Sequence, residues 1–423
     1  VLNKIVHTYW TRLLATALVF ASVVLTSRYL GAEGKGITSL IATNILFITL
    51  LNDMVGGVSL IYLVPRNRLS SLVLPTAVFT LFCSLLSAAI FHFLEIIPAE
   101  YSAHLYFLAV LQSMNNIVLN VLLGKENIRL NNYLFLLKSL VNVLFLALFF
   151  IVLESANVMT YLYTMYASNA LPLLAGLPAL LAYWKKDNAD NRPASSLKEL
   201  FSLGSQSQLA NVVQMLNYRL SFYFLNALLF SEGKKAVGIF SIALALADVI
   251  WMMSKSIGTV QLTCISNLTD ATQSHELTKK FLRFSVLSAL LLIIPALIIP
   301  SGVYALVFGD EFGAAKEVLL MMAGGILVFS INIILANHFA GTGRYRVNMT
   351  ASLIGLPVNV LANMLLIPKL GLAGAGIAAS LTYAVITFYT WMKFSREASL
   401  GWKDFVVSKE EVKRLMSELG IRN

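Results

Sequence analysis

The sequence predicts an all-α membrane protein: twelve transmembrane helices in two six-helix lobes around a central cavity. Three observations predict it. Mean hydropathy is +0.77 over 423 residues, of which 58% are apolar and 12% charged, whereas a soluble domain carries roughly 25% charged residues. Apolar runs of the roughly 20 residues that a ~30 Å hydrocarbon core requires recur twelve times along the chain. One polar segment, Lys185 to Leu200, rich in Asn, Asp, Pro and Ser, interrupts them midway and leaves six on each side.

In order, the predicted spans are 8–28, 37–63, 72–94, 103–123, 133–153, 160–184, 204–229, 238–262, 283–307, 316–340, 349–367 and 373–394. The apolar centre of the first, Leu13 to Thr26, follows Lys4 and Arg12 and has no small-residue cleavage site. It reads as a retained helix rather than a signal peptide. The connections are short, and 185–200 is the one linker-like stretch. The expected division is an N-terminal lobe at 1–184, a C-terminal lobe at 201–396 and a cytoplasmic tail at 397–423. In the tail, Ser408-Lys-Glu-Glu411 has capping-box spacing. Val412, Leu415, Met416 and Leu419 follow at i, i+3, i+4 and i+7, the pattern of an amphipathic helix. Its basic residues suit an anionic leaflet, and a solvated tail helix fits the same pattern.

Lysine and arginine counts set the orientation. With the N-terminus inside, 22 of the 31 basic residues fall on the cytoplasmic side and 6 outside; Lys138, Arg219 and Lys255 remain within spans. Both termini are then cytoplasmic. Six being even, the two lobes enter the membrane the same way up, so an internal repeat is parallel rather than inverted. Glu33-Gly-Lys-Gly-Ile37 after the first span loosely echoes Glu232-Gly-Lys-Lys-Ala-Val-Gly-Ile239 after the seventh.

The sequence gives little footing to enzyme chemistry. The histidines, His7, His92, His104, His275 and His338, are scattered in depth and show no ligand spacing. No Ser-His-Asp set, phosphate loop or carboxylate pair is apparent. Asp310 and Glu311 fall in a loop, where solvation is the default. Cys83 and Cys264 lie in or beside spans, so neither a disulfide nor a cysteine zinc site is expected. No metal, cofactor or nucleic-acid partner is implied; the net charge of +10 is a sum over loops.

The chemistry lies in intramembrane charge. Arg219 sits near the middle of the apolar run from Leu209 to Phe230, where an arginine costs roughly 2.5 kcal/mol or more. Gln208, Tyr223 and Asn226 share its helical stripe, and a polar stripe on an apolar helix faces water or another helix rather than lipid. Asp248 and Lys255 share a face of the eighth span, with Ser241, Trp251 and Thr259 on the same stripe. Asp53 lies in the second, beside Asn52 and ahead of Gly56-Gly57, and Lys138 in the fifth; Arg12 and Arg28 bracket the first. Neutral groups recur at spacings of four: Gln112, Asn116 and Asn120, and again Asn359 and Asn363. Structural roles compete. Lys138, Arg12 and Lys255 have stems long enough to snorkel. Arg28 suits an outer anchor or a helix cap. Arg219 and Asp248 suit a buried pair with nothing bound, and asparagines join helices. Yet Lys138, Arg219 and Lys255, with Arg12 or Arg28, outnumber Asp53 and Asp248. A net positive cavity calls for an anionic ligand, and guanidinium suits phosphate. Asp53 and Asp248, the only deep acids, are the candidates for ion coupling.

Five motifs carry a family resemblance. They are Ser27-Arg-Tyr-Leu-Gly-Ala-Glu-Gly-Lys-Gly36, Asn217-Tyr-Arg-Leu-Ser221, Val237-Gly-Ile-Phe-Ser-Ile-Ala-Leu-Ala-Leu-Ala-Asp248, Phe308-Gly-Asp-Glu-Phe312 and Pro368-Lys-Leu-Gly-Leu-Ala-Gly-Ala-Gly376. In this order, across residues 5–395, the chain resembles the polysaccharide transporter family of the multidrug/oligosaccharidyl-lipid/polysaccharide flippase superfamily. The resemblance implies a two-lobed twelve-helix transporter with a V-shaped cavity and no ATPase domain. Such a protein moves undecaprenyl-pyrophosphate-linked oligosaccharide repeat units across the cytoplasmic membrane by alternating access, for O-antigen, capsule or exopolysaccharide. Membrane lipids, a polysaccharide polymerase and glycosyltransferases are its candidate partners. Ser221 stands where the family often has Asp, so a carboxylate for Arg219 has to come from elsewhere, such as Asp248. The alternative within the superfamily is a multidrug or metabolite exporter. Arg219, Lys255, Asp248, Gln208, Tyr223, Asn226, Lys138 and Arg28 are the expected substrate-binding residues.

Overall fold

The computed structural model describes residues 2–189, 197–268 and 270–398, and among them there is no strand. The tail helix expected after residue 397 falls almost wholly outside the described residues, as does the middle of the linker, 190–196. The helices are α1 (Leu2–Gly56), α2 (Val58–Leu63), α3 (Leu69–Phe93), α4 (Ser102–Gly124), α5 (Ile128–Ala147), α6 (Val158–Ala189), α7 (Leu197–Leu228), α8 (Gly233–Ser266), α9 (Ala271–Ile298), α10 (Ser301–Phe308), α11 (Ala315–Gly341) and α12 (Tyr345–Ala398). Helix α5 closes with a π-turn at Leu148–Val152.

Nine stretches of the described residues are long and apolar enough to cross a membrane. Two of these, within α1 and α12, exceed 50 residues, about 80 Å if straight and more than twice the hydrocarbon thickness. Each breaks at a glycine: Gly31 (φ +66°, ψ −177°) and Gly371 (φ +56°, ψ −130°) are non-helical, in a region that L side chains avoid. At both breaks the chain folds back. A side chain at Gly374 would collide with the Leu366 carbonyl, eight residues earlier, and Lys35 Nζ donates to Thr26 Oγ1 at 2.7 Å, across what would be about 13 Å of straight helix. Counting both halves of α1 and α12, and adding the 32-residue α7, gives the twelve spans, with the breaks where sequence placed connections 29–36 and 368–372. Helix α7 is less apolar than the others because Gln208, Asn211, Gln214, Asn217 and Arg219 interrupt it.

The helices are packed inside out relative to a soluble protein. On α3, Thr76, Thr80 and Ser84 are buried while Phe82 (70% exposed) and Leu86 (66%) face outward. That is the arrangement of a helix whose outer solvent is hydrocarbon and whose inner contacts are small and polar. The protein is a multi-pass membrane protein.

The chain forms two compact units. The first comprises Val1–Met215, Leu229–Ser241 and Ala305–Phe312; the second Leu216–Leu228, Ile242–Tyr304 and Gly313–Asn423. The apolar core of the first centres on Val55, Leu60, Leu72, Val121 and Leu134. In the second, Leu282, Ile334, Leu335, Phe339 and Phe394 join α9, α11 and α12. Beside them Trp251, Phe329, Tyr383 and Tyr218 pack ring to ring, with centroids 4.9–6.0 Å apart. Trp251 Nε1 is satisfied by the Ile326 carbonyl at 3.0 Å.

Within the first unit, the two echoing glycine motifs meet. A Cβ on Gly36 would strike the Lys234 carbonyl, and one on Gly238 would strike the Ala32 carbonyl. Each glycine thus abuts the carbonyl four residues before the other. The contact is reciprocal between the two motifs.

Candidate functional site

Arg219, on the third turn from the end of α7, faces Asp248 and Lys255 on α8. Asp248 Oδ1 accepts from Lys255 Nζ at 3.1 Å, and its other oxygen lies 3.9 Å from Arg219 Nη2. The seven-residue spacing of Asp248 and Lys255 puts them two turns apart on one face, so a single carboxylate serves two cations. The three side chains remain 28%, 45% and 51% exposed for Arg219, Asp248 and Lys255. Among the described residues, the cluster's three side chains sum to one surplus positive charge, and they are open to their surroundings. Aromatic faces support the cations: Arg219 Cζ is 5.2 Å from the Phe222 centroid and Lys255 Nζ 5.8 Å from that of Trp251. Tyr223 and Asn226, half-buried, continue the same helix. Lys255 pairs with Asp248.

Asparagines set the position of this segment. Asn217 Nδ2 donates to the Ser352 carbonyl at 2.9 Å, and Asn359 Nδ2 donates to the Asn217 carbonyl at 3.0 Å. Asn363 in turn donates to Asn359 Oδ1 at 2.8 Å. The asparagines two residues before Arg219 and on α12 join helices, as the structural reading of such residues anticipates.

Gln208, expected on Arg219's stripe, belongs to the first unit. It is buried, accepts from Asn211 at 3.0 Å, and its amide sits where a side chain on Gly57 would project. Asp53 adjoins the same glycine, and its carboxylate is hydrogen-bonded by Asn116. Asn120 and Asn52 brace this region, donating to the Gly56 carbonyl (2.7 Å) and to Ser84 and Ser113 (2.9 and 2.8 Å).

Lys138 lines a cavity of about 360 Å³ between α1, α5 and α6, with Lys35, Tyr161, Asn142, Thr26 and Ser22. Lys35, assigned by sequence to an outer loop, is the residue that reading missed. The fold-back at Gly31 points it at Thr26. Arg12 stacks on Phe135, 3.7 Å from its centroid. Arg28 caps a helix other than its own: its Nη1 donates to the Leu306 carbonyl at 3.1 Å, near the C-terminus of α10. Glu311, expected to be solvated, is part-exposed but also makes specific contacts. It accepts from the Ala32 backbone N–H at 2.8 Å and pairs with Lys235 at 2.9 Å. Both cysteines are free.

An all-helical, inside-out chain with charges on its apolar helices has the form of a polytopic membrane protein. Its motifs resemble a polysaccharide transporter family, and comparison with known proteins finds the same helical fold in solved transporters. A family model described as MatE matches residues 210–365. The structure of a lipid II flippase, MurJ, in an inward closed conformation superposes with a TM-score of 0.71 at 14% identity, covering 100% of this chain and 92% of that one. Among curated relatives, a probable low-salt glycan biosynthesis flippase, Agl15, of Haloferax volcanii is 24% identical over 51% of this chain and 46% of its own length. A capsular polysaccharide biosynthesis protein, CapF, of Staphylococcus aureus is 27% identical over 48% and 52%. A probable multidrug resistance protein, NorM, of Halalkalibacterium halodurans is 34% identical over 23% of each. The chain spans about half the length of the first two relatives it matches.

Proposed function

We propose that this protein is a flippase that moves lipid-linked oligosaccharide repeat units with a pyrophosphate head across the inner membrane, for surface polysaccharide synthesis. The observation that carries the reading is the surplus charge at Arg219, Asp248 and Lys255: two cations share one carboxylate on half-exposed side chains. A guanidinium and an ammonium held apart by a shared acid match an anion with two charge centres, and the guanidinium fork matches phosphate oxygens. The two-lysine cavity at Lys35 and Lys138 supports an anionic substrate too. Two relatives named for glycan flipping and capsule synthesis point the same way. In this reading Arg219 contacts the pyrophosphate or a sugar carboxylate, Tyr223 and Asn226 face the glycan, and Asp248 or Asp53 carries a coupling ion. Both termini and the 185–200 segment, which joins lobes at 1–184 and 201–396, are cytoplasmic. A polymerase and glycosyltransferases act on either side of the step.

The test is reconstitution in proteoliposomes with a fluorescent polyprenyl-pyrophosphate glycan and, separately, a cationic dye. Protein-dependent movement of the glycan lipid with no dye transport is the expected result. Dye transport without glycan movement would establish the exporter reading, which the NorM relative and the acid at Asp53 favour. Topology has its own check: a cysteine introduced as Ser195→Cys should stay unlabelled by an impermeant reagent added outside.

A further inference from the structure

Two histidines that sequence left scattered meet near the ends of three helices of the second unit. His275 on α9 and His338 on α11 lie with ring centroids 5.6 Å apart, and Glu397 on α12 completes the group. One ligand atom from each lies within 4.8 Å of the others.

The surroundings prepare these groups for a ligand. His338 Nδ1 is 2.9 Å from Thr278 Oγ1. That hydroxyl donates its one proton to the Ser274 carbonyl at 2.8 Å and accepts from Gln261 Nε2 at 3.1 Å. With that proton on the Ser274 carbonyl the hydroxyl accepts from His338 Nδ1, the tautomer that leaves Nε2 with a free lone pair. A ligating histidine held through its other ring nitrogen is the usual arrangement in metal sites. Glu397 is gripped by both arms of Arg344, at 2.6 and 2.7 Å, and is thereby held ionised and oriented. Phe339 and Phe394, both fully buried, wall the histidines: Phe394 lies 4.8 Å from His338 and 5.6 Å from His275. Glu397 keeps the group reachable from solvent, its side chain 33% exposed.

We propose that His275, His338 and Glu397 form a transition-metal site of the zinc class that clips α9, α11 and the end of α12 together. Two imidazoles and a carboxylate suit zinc, with water in the fourth position. A tetrahedral ion with ligands at about 2.0–2.1 Å sets them about 3.4 Å apart, so the observed spacing closes by rotamer adjustment. One oxygen of Glu397 keeps an Arg344 arm while the other ligates. The site makes no use of the Arg219 cluster, so it stands whether or not the flippase reading does.

The experiment is zinc and cobalt titration of the purified full chain in nanodiscs, with any affinity tag removed. The readouts are metal stoichiometry, the visible spectrum of bound cobalt and thermal unfolding. Wild type should bind one zinc per chain, give a tetrahedral cobalt spectrum and unfold at a higher temperature with zinc. His275→Gln, at a half-exposed position that tolerates change, and Glu397→Gln should each weaken binding at least tenfold and abolish the thermal shift. Zinc binding in His275→Gln equal to wild type, or no saturable binding by wild type, overturns the proposal.

Discussion

Two charged clusters, one in each unit, use the same ingredients to different ends. In the first unit Glu311 meets Lys235 and the Ala32 amide, and Arg28 beside it donates to the Leu306 carbonyl of α10. The carboxylate is matched by one lysine and a backbone donor, and the arginine by a helix end. In the second, Asp248 is divided between Lys255 and Arg219, and the arginine is the more distant at 3.9 Å. The first cluster is complete as it stands; the second has a cation to spare. A buried or half-buried charge that already has its partners holds helices together, whereas a surplus calls for something else to be bound. The difference separates residues of the same type: Arg28 and Arg219 were both candidates for substrate, and Arg28 is held at a helix end while Arg219 shares its carboxylate with Lys255.

The comparison can be broken most severely at the packing beneath the first cluster. Gly36→Val places a side chain onto the Lys234 carbonyl, backbone that has nowhere to yield, and should cost about 3 kcal/mol or more. Thermal unfolding in detergent should show the loss, and Gly238→Val should show a similar one. Equal stability of both variants and wild type would mean that the glycine-to-carbonyl contact is not a packing constraint.

Glu311→Ala tests whether the first cluster is structural. It strands the N–H of the fully buried Ala32, which should cost about 1–3 kcal/mol. The Lys235 pair itself is exposed and should add less than about 1 kcal/mol, so Glu311→Gln, whose amide oxygen still accepts from Ala32, should recover most of the stability. If the two variants unfold alike, the amide contact is not what holds this region.

Lys255→Gln sharpens the other side. Its ammonium is half-exposed and leaves Asp248 with Arg219, so stability should change by less than about 1 kcal/mol, while movement of the glycan lipid falls several-fold. A stability loss as large as that of Glu311→Ala would place Lys255 among the structural charges.

The fold was legible because it follows from local properties. Hydropathy and length located the spans, and Gly31 and Gly371 lie in the predicted connections because polar residues and glycine mark them in any context. The triad was partly legible, since Asp248 and Lys255 share one helix and Arg219 stood out as a costly charge. What stayed hidden depends on distant pairs. Glu311 and Ala32 are 279 residues apart, and His275 and His338 sit on different helices. Lys35 was hidden because a fold-back turns a loop lysine inward. Gln208 misled because a helical stripe reports angle, and α7 passes from one unit to the other at Met215. Topology did hold one unused signal for the histidines: each lies near the predicted cytoplasmic end of its span.

The central claim is that Arg219 binds substrate rather than merely neutralising Asp248. The direct measurement is glycan-lipid movement in proteoliposomes by Arg219→Ala, Arg219→Lys and Arg219→Ala/Asp248→Ala, each normalised to reconstituted protein and checked for thermal stability. Stability is checked because Arg219 also neighbours Asp248 at 3.9 Å; the pair is part-exposed, so losing it should cost less than about 1 kcal/mol. The account predicts that Arg219→Ala is nearly inactive at normal abundance. Arg219→Lys, which keeps the charge and loses the fork, should be impaired, and the double variant should not recover. Wild-type movement by Arg219→Ala, or recovery in the double variant, would contradict it.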